Sequence, residues 1–551
     1  MLLCQGLKNG VYYEIITKMD FNGILNSKQS GIKKATLIMV VSVLISRVLG
    51  LLRDRFLAGY FGASIDLDIY FTAFRIPDLV YSIIFAGGIT VSFLPIFSEY
   101  FKKNKEEAWK IVNYVLNIFF VLYFLFLLVF IVFTPQIISY LAPGFDLTAQ
   151  ATTVDLTRLV FVSVFFFGTS SVMAAILNYF NNFLAFSIAP ILYNLGIIFG
   201  IIFLSSYFGI FGAGIGVVLG SLLYLLVQIP GAVSNGYRYK PIISFNHKAI
   251  RDFFDMLGPR IVSSSSVQLG MAIVTLIASG IGAGAITVFN LSNNLRYLPI
   301  GVIGIPFATA VFPALSKLWT EENKKEFLNK FKSVFMSVLY FSFPVGILIF
   351  LLREQIIRIV FQTGSFGSDA VTITSACLGL YFLSTTAQCL GPLFLRGFFS
   401  LKDSKTPTIV AIFFVLFNSA ACYLFVFYSS YFINFAQAIF GISELSQVKV
   451  LGLVLAFNFS LFIEFIILFF LFYRKVGDFG IKEIFINFIK IVLSTIAMSV
   501  VAFAVLRFWP NSLSLINDFL WFCLTCFIAG IVYIIFSFIF KIEEVKKIFK
   551  R

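Results

Sequence analysis

Apolar runs of about 20 residues recur along nearly the whole chain, and they constrain its fold more than any other feature. One helix needs a run of that length to cross the hydrocarbon core of a bilayer. Hydrophobic residues make up 60% of the chain, charged residues make up 12%, and the mean hydropathy is +0.97. This composition excludes a soluble globular protein and predicts an all-α polytopic membrane protein.

The apolar runs predict about fourteen transmembrane helices. The predicted spans are 36–58, 66–97, 110–133, 156–181, 184–205, 211–233, 251–279, 285–315, 331–352, 371–399, 407–429, 449–473, 484–507 and 514–540. The polar tail before the first span lacks the apolar core and small-residue cleavage site of a signal peptide.

The basic residues are distributed in a way that reports membrane orientation. The net charge is +15, but the lysines and arginines cluster in alternate loops and in both tails. The positive-inside rule therefore predicts a multi-pass protein with both termini in the cytoplasm. The same distribution argues against nucleic acid as a partner.

An internal repeat divides the chain into two halves. FLPIFSEYFKKNKEE (93–107) resembles VFPALSKLWTEENKKE (311–326), and Pro95 and Pro313 are offset by 218 residues. Each repeat holds six spans, so we predict two pseudo-symmetric six-helix lobes with the substrate site between them. The predicted domains are a tail (1–35), an N-lobe (36–233), a C-lobe (234–473), and spans 13 and 14 with a basic tail (474–551).

The first two spans carry charges where a membrane helix normally carries none. Arg47 and Asp54 share one face of the first predicted helix, and Asp68 and Arg75 share one face of the second. An Arg or Asp at a bilayer centre costs about 2.5–3.5 kcal/mol, so such residues face a bundle interior or an aqueous cavity. They form either structural ion pairs or a cationic cavity for an anionic substrate, and we favour the cavity.

Several segments resemble one family. SRVLGLLRD (46–54) and LDIYFTAFRIPDL (67–79) resemble the opening of the MurJ (MviN) lipid II flippases, members of the superfamily that contains multidrug and toxin extruders and polysaccharide flippases. The likeness continues in ILNYFNNFLAFSIAPILYN (176–194), FPALSK (312–317), FQTGSFGSDA (361–370) and RGFFSLKDSKTPT (396–408). Because these fragments occur in order from residue 46 to residue 408, the likeness extends over most of the chain.

The resemblance implies a transporter and not an enzyme. It implies that lipid II moves from the inner to the outer leaflet of the bacterial cytoplasmic membrane by alternating access. An ion gradient or the membrane potential would drive the movement, without cofactor and with Na+ or H+ as a coupling cation. The implied partners are a lipid-linked anionic glycan precursor, membrane lipids and cell-wall synthesis proteins. Spans 13 and 14 would form a groove for the lipid tail.

The resemblance also implies a set of substrate-binding residues in the N-lobe. Arg47, Arg53, Asp54 and Asp68 match the family's charged positions, and we add Arg75. The planar guanidinium of arginine suits a diphosphate because its N–H groups can bind two phosphate oxygens at once.

The C-lobe departs from the family pattern. Many members carry an Asp-Arg pair in span 8, where this chain has Asn293 and Asn294. We expect Asn294 to lie on a polar stripe with Tyr297, and Arg296 to lie off that stripe. Arg260 in span 7 either supplies a second substrate-binding cation or extends to the cytoplasmic interface. Another arginine common in the family, in span 2, is replaced by Tyr81 and Ser82.

Glu464, deep in span 12, either takes part in ion coupling or pairs with another residue. The six cysteines and one histidine offer no metal-binding cluster. Three alternatives to lipid II transport stay open. They are a flippase for another polyprenyl-diphosphate-linked glycan, a cation-coupled multidrug extruder, and a membrane scaffold without transport.

Overall fold

A computed structural model of the protein describes residues 32–83, 92–428, 430–442, 447–509 and 515–549, and over these residues it contains helices and no strands. The all-α prediction is confirmed. The first eleven α-helices are α1 Ile32–Phe61, α2 Ile65–Ala73, α3 Arg75–Tyr81, α4 Leu94–Lys103, α5 Lys105–Leu141, α6 Leu147–Tyr179, α7 Phe183–Phe199, α8 Ser205–Phe208, α9 Ile210–Leu226, α10 Ile229–Ser234 and α11 Lys248–Ser279. The remaining ones are α12 Ala285–Pro299, α13 Ile305–Thr320, α14 Lys324–Leu351, α15 Arg353–Phe361, α16 Ser368–Ser400, α17 Lys405–Phe427, α18 Ser430–Phe440, α19 Val450–Val476, α20 Ile481–Arg507, α21 Leu515–Ile539 and α22 Glu543–Phe549.

Within the described residues, eleven helical segments are long and apolar enough to cross a membrane. They coincide with eleven of the predicted spans, and the chain is a multi-pass membrane protein. The other three predicted spans, 36–58, 66–97 and 251–279, fall on α1, on α2 to α4, and on α11. The count of fourteen therefore stays a prediction.

The described chain forms two compact units. Among the described residues, unit 1 comprises 32–56, 73–83, 92–136 and 152–265, and unit 2 comprises 57–72, 137–151, 266–428, 430–442, 447–509 and 515–549. The end of α1 and most of α2 thus belong to unit 2, together with the later part of the chain. The predicted lobe boundaries stay a prediction.

In unit 1, glycines bring α7 and α9 into close contact. Gly196 on α7 and Gly200, the first residue of the π-helical segment Gly200–Leu204 that follows α7, face Gly216 and Gly220 on α9. A Cβ atom added to Gly196 would lie 2.4 Å from the Cα atom of Gly220, so a larger residue would force the helices apart. Small residues four apart are the usual means of close helix packing in membranes. This packing fixes α7, which carries Asn194 of the candidate site.

In unit 2, phenylalanines form the centre of the core. The rings of Phe331 on α14 and Phe472 on α19 stack with centroids 4.5 Å apart, and Phe394 on α16 lies 5.6 Å from each of them. Stacked and tilted aromatic pairs contribute about 0.5–1.5 kcal/mol beyond the area they bury. These contacts hold α14, α16 and α19 together.

Both predicted repeats contain a π-helical turn at the same relative position. One includes Ser82 and Ile83, directly after α3, and the other is Ile300–Gly304, directly after α12. The offset between Ser82 and Ile300 is 218 residues, the same as that between Pro95 and Pro313. Such turns often mark functional positions in a helix.

Candidate functional site

In unit 1, the guanidinium of Arg53 on α1 is held between Asp54 and Asn194. Its Nε and Nη2 atoms donate to Asp54 Oδ1 at 2.9 and 2.7 Å, and Nη1 donates to Asn194 Oδ1 at 3.2 Å. Asn194 Nδ2 in turn donates to the carbonyl oxygens of Ser46 and Pro190. The Arg53 side chain is 24% exposed and that of Asp54 is 5% exposed. A buried carboxylate therefore orients a guanidinium that remains accessible.

The other predicted cations of unit 1 lie in different settings. Arg47 is half-buried on α1 and joins none of the ion pairs formed by the described residues. Arg75, the first residue of α3, is buried and interacts electrostatically with Asp78 one turn later. Where the resemblance implied an arginine, the Tyr81 hydroxyl makes a 3.0 Å hydrogen bond with that of Ser171.

In unit 2, the carboxylate of Asp68 on α2 caps the N-terminus of α12. Oδ2 accepts a hydrogen bond from the backbone N–H of Gly284, while Oδ1 accepts from the backbone N–H and the hydroxyl of Thr287, at 2.7, 2.7 and 2.6 Å. The N-terminal N–H groups of a helix favour an anion in this position. Asp68 is 1% exposed, so its bonds are made to the protein and not to solvent.

Gly284 makes this close approach possible. Its φ is +84°, in the left-handed region that favours glycine. A Cβ atom there would lie 2.3 Å from the carbonyl oxygen of Ala63. This clash could not be relieved by a side-chain rotation, because the carbonyl oxygen belongs to the backbone. The contact between the start of α2 and the start of α12 therefore requires glycine at this position.

Unit 2 also contains a buried arginine, Arg296 on α12, which is held by neutral groups. Nε donates to Asn293 Oδ1 at 2.7 Å, Nη1 donates to Gln388 Oε1 at 2.8 Å, and Nη2 donates to the Tyr297 hydroxyl at 3.3 Å. Arg296 is 7% exposed, and no carboxylate of the described chain forms an ion pair with it. These bonds account for three of its five N–H groups.

Aromatic rings and a polar chain complete the surroundings of Arg296. The guanidinium carbon lies 4.0 Å from the ring centroid of Phe457, 4.6 Å from that of Tyr297 and 5.1 Å from that of Tyr381. Cations within about 6 Å of an aromatic face are attracted by its quadrupole. Gln388 Nε2 donates to the Ser384 hydroxyl at 2.7 Å, which donates to Asn458 on α19. The cation is thus bonded to α16 and linked to α19.

The remaining predicted residues are placed as follows. Asn294 is half-buried beside Asn293 on α12. Glu464 on α19 is half-buried, and it forms no ion pair with any described residue. The side chain of Arg260 on α11 lies outside the described part of the chain. In that described part, no three His, Cys, Asp or Glu side chains are grouped as metal ligands.

A sequence model of the family described as "Lipid II flippase MurJ" matches residues 57–524, most of the chain. The chain belongs to the MurJ lipid II flippase family. Membership of this family confirms the prediction of a transporter and not an enzyme.

Relatives within the MurJ family match over most of their length. The probable lipid II flippase MurJ of Buchnera aphidicola subsp. Acyrthosiphon pisum is 28% identical over 501 residues, which cover 89% of this chain and 94% of the relative. The lipid II flippase MurJ of Burkholderia cenocepacia is 26% identical, over 70% of this chain and 76% of the relative. A solved structure of a lipid II flippase MurJ in an inward closed conformation matches with a TM-score of 0.75 and 26% identity, covering 92% of this chain and 98% of that one.

Sequence reasoning did not select Arg296, because on an ideal helical wheel this residue lies off the polar stripe that contains Asn294 and Tyr297. A long side chain three residues after Asn293 reaches back along the helix, as residues spaced i, i+3 do. Gln388 and Asn458 were a usable signal, since each is an amide in an otherwise apolar span. The buried arginine of α12 is Arg296, two residues after Asn294, the position at which the resemblance implied an arginine.

Proposed function

We propose that this protein translocates lipid II from the inner to the outer leaflet of the cytoplasmic membrane. The observation that carries the proposal is the match of the MurJ family sequence over residues 57–524. Relatives bearing that name are 28% and 26% identical over most of their length. The substrate is a lipid-linked, anionic glycan precursor, and membrane lipids and cell-wall synthesis proteins are its partners.

Two arginines are suited to bind the diphosphate of such a substrate. Arg53 is oriented by Asp54 and remains 24% exposed. Arg296 keeps its positive charge uncompensated by any described carboxylate. Hydrogen bonds between a guanidinium and phosphate oxygens are among the strong ones in proteins, and they need no covalent chemistry.

We assign Asp68 to gating and not to direct substrate contact. Its three hydrogen bonds to the start of α12 are charge-assisted, and such bonds contribute about 1.5–3 kcal/mol each. Moving one charge across 100 mV supplies only about 2.3 kcal/mol. Opening at this contact therefore requires new substrate contacts or protonation in addition to the membrane potential. We propose H+ or Na+ as coupling ion, with Glu464 as a second candidate group.

The distribution of basic residues supports an orientation with both termini in the cytoplasm. An impermeant thiol reagent added to intact cells should then label Thr148→Cys and spare Lys324→Cys. The reverse pattern would overturn this orientation.

Complementation of a bacterium depleted of its own lipid II flippase tests the proposed function. The measured quantity is lipid II that an impermeant reagent can reach from outside the cell. The wild-type protein and Arg358→Ala, a change to an exposed residue of α15, should both restore it. A protein present in the membrane at normal level that restores no outward lipid II would refute the proposal.

A further inference from the structure

The short helix α18 (Ser430–Phe440) presents three different faces. It follows the membrane helix α17 and precedes the membrane helix α19. Ile433 and Ala436 are buried against the protein, at 5% and 1% exposure. The exposed apolar residues are Tyr431, Phe432, Phe435 and Ile439, between 47% and 79% exposed. Asn434 is exposed as well.

These positions separate cleanly around the helix. At about 100° per residue, the four exposed apolar side chains occupy an arc of about 100°. From the centre of this arc, Ile433 lies about 150° and Ala436 about 90° away in one direction, and Asn434 lies about 110° away in the other. A helix in free water would place polar residues on its exposed arc, so this pattern indicates an apolar surrounding on one side only.

Contacts at both ends fix the rotation of α18. Near its start, the ring of Phe432 stacks on that of Phe425 of α17, with centroids 5.2 Å apart and planes at 17°. At its end, the ring centroid of Phe440 lies 4.9 Å from the guanidinium carbon of Arg353. A Cβ atom on Gly379 would lie only 3.0 Å from the Phe440 ring, so that ring is closely packed. The apolar arc therefore points outward because of packing.

The apolar arc continues the lipid-facing surface of α17. That helix is one of the segments able to cross a membrane, and only 28% of its apolar window is buried. Its last turn exposes Tyr423, Leu424 and Phe427, at 50%, 54% and 47%, and Tyr428 follows at 72%. Tyrosine is enriched where a membrane protein meets the headgroup layer. Exposed apolar residues thus lie at the end of α17 and on α18, and the ring contact between Phe425 and Phe432 joins the two helices.

Helix α15 (Arg353–Phe361) provides an internal comparison. It also follows directly on a membrane helix, α14, and it is also short. Its outward residues are different, because Glu354 and Arg358 form an exposed ion pair there. One short helix is therefore built to face water and the other is not.

We propose that α18 is an interfacial helix, with its apolar arc inserted among the phospholipids at the membrane–water boundary. Its eleven residues span about 16 Å, too short for a hydrocarbon core of about 30 Å, so it lies in the interface and does not cross the bilayer. Amphipathic helices in this position bury their apolar face about 5–10 Å into the headgroup and acyl boundary. Asn434 faces the headgroups. In the orientation proposed above this is the outer leaflet, but the inference does not depend on the transported substrate.

Site-directed spin labelling in vesicles tests the proposal. The full chain carries Cys4→Ser, Cys523→Ser and Cys526→Ser, while the buried Cys377, Cys389 and Cys422 stay in place. Single cysteines are then introduced by Phe432→Cys, Asn434→Cys, Phe435→Cys and Ile439→Cys, with Glu354→Cys as the control on α15. Each protein is reconstituted in phosphatidylcholine and phosphatidylglycerol, and collision with oxygen and with a water-soluble nickel chelate is measured.

Oxygen concentrates in lipid and the chelate stays in water, so their ratio reports the surroundings of each label. We expect high oxygen-to-nickel ratios at 432, 435 and 439 and low ratios at 434 and 354. Equal ratios at all five positions would place α18 in water. Low collision with both reagents at 432, 435 and 439 would show a second copy or another protein on this face. Either result overturns the proposal.

Tryptophan fluorescence gives an independent measurement with cysteines unchanged. Brominated lipids should quench the added emission of Phe435→Trp more strongly than that of Asn434→Trp. Equal quenching of the two variants would contradict insertion of the arc.

Discussion

The two units hold their candidate cations by opposite means. In unit 1, Arg53 is bound to the carboxylate of Asp54 and its side chain is 24% exposed. In unit 2, Arg296 is 7% exposed, and the described residues that bind it do so through amide, hydroxyl and aromatic groups. The guanidinium is therefore paired with a carboxylate in one unit, and in the other it forms no ion pair with any described carboxylate.

The difference predicts different energetic roles. An anion approaching Arg53 competes with Asp54, so this arginine contributes geometry more than net attraction. Burying an unpaired cation is costly, and about three hydrogen bonds with cation–π contacts offset part of that cost at Arg296. An anionic ligand would offset the rest, because it supplies the missing counter-charge. Arg296 should therefore dominate substrate attraction.

The largest expected effect follows from removing that charge. Arg296→Ala should lower lipid II export by at least about tenfold, which corresponds to roughly 1.4 kcal/mol. Even one hydrogen bond to a charged group can contribute more than this, up to about 3 kcal/mol. Arg296→Lys should recover little, because one ammonium cannot replace the bonds of Nε, Nη1 and Nη2. Export assays on membranes with matched protein content measure both variants.

Tyr297→Phe is the control for this pair, since it removes one long hydrogen bond of 3.3 Å and keeps the ring. It should export at close to the wild-type rate. Normal export by Arg296→Ala, with Arg53→Ala inactive, would reverse the comparison between the two units.

A second prediction concerns Asp68, whose carboxylate forms no ion pair with any described residue. Asp68→Asn has one acceptor oxygen in place of two, and its amide N–H₂ would face an N–H group of Gly284 or Thr287. Leaving such a buried donor unsatisfied costs about 1–3 kcal/mol. We expect slower export and a lower melting temperature in detergent.

Asp146→Asn is the matched control. The carboxylate of Asp146 also accepts a backbone hydrogen bond at the start of a helix, from Ala149 on α6. It differs from Asp68 because it is exposed, together with its hydrogen bond from Thr148. The melting temperature of Asp146→Asn should fall less than that of Asp68→Asn. An equal fall would mean that the cap on α12 has no special weight.

Sequence patterns predicted the helical class and eleven helices that the structure shows to be long and apolar enough to cross a membrane, because apolar length is a local property. They did not predict the partner of Asp68, since Thr287 is 219 residues away and only the fold brings it close. Spacing placed Asp68 and Arg75 on one face, yet the first lies in unit 2 and the second in unit 1. Arg296 was passed over because a helical wheel records direction and ignores the reach of a long side chain.

A third prediction exchanges the partners of the two arginines. Asn293→Asp places a carboxylate beside Arg296 Nε, where the amide oxygen now lies at 2.7 Å. The new pair would resemble Arg53 with Asp54, so the attraction for an anion should fall and lipid II binding should weaken by about 1–2 kcal/mol. Binding of lipid II to purified protein in nanodiscs measures the change.

Asp54→Asn is the reciprocal variant, and it should leave lipid II binding as strong as in the wild type, or make it stronger. If Asn293→Asp and Asp54→Asn weaken lipid II binding equally, the charge of the residue bound to each arginine does not distinguish the two units.

The smallest expected effect comes from a third cation, Lys475, at the end of α19. Its ammonium donates to Asp403, and Thr406 N–H donates to the same carboxylate at 3.0 Å. Burial raises the pKa of Asp403, but these hydrogen bonds outweigh it and lower the pKa from 3.8 to about 2. Since the unfolded chain then binds more protons between those values, this stabilisation is complete above about pH 4 and is lost as the pH falls toward 2.

Lys475 is 45% exposed, so the pair should contribute less than about 1 kcal/mol. Melting temperatures of the wild type and Asp403→Asn in detergent should differ slightly at pH 6 and converge as the pH approaches 2. Salt should shrink the difference, because exposed charges are screened. A buried cation such as Arg296 has no such screening, so salt should leave its contribution to stability unchanged. A salt response of Arg296→Ala as large as that of Asp403→Asn would show that Arg296 is not isolated from water, and the contrast between the two units would lose its physical basis.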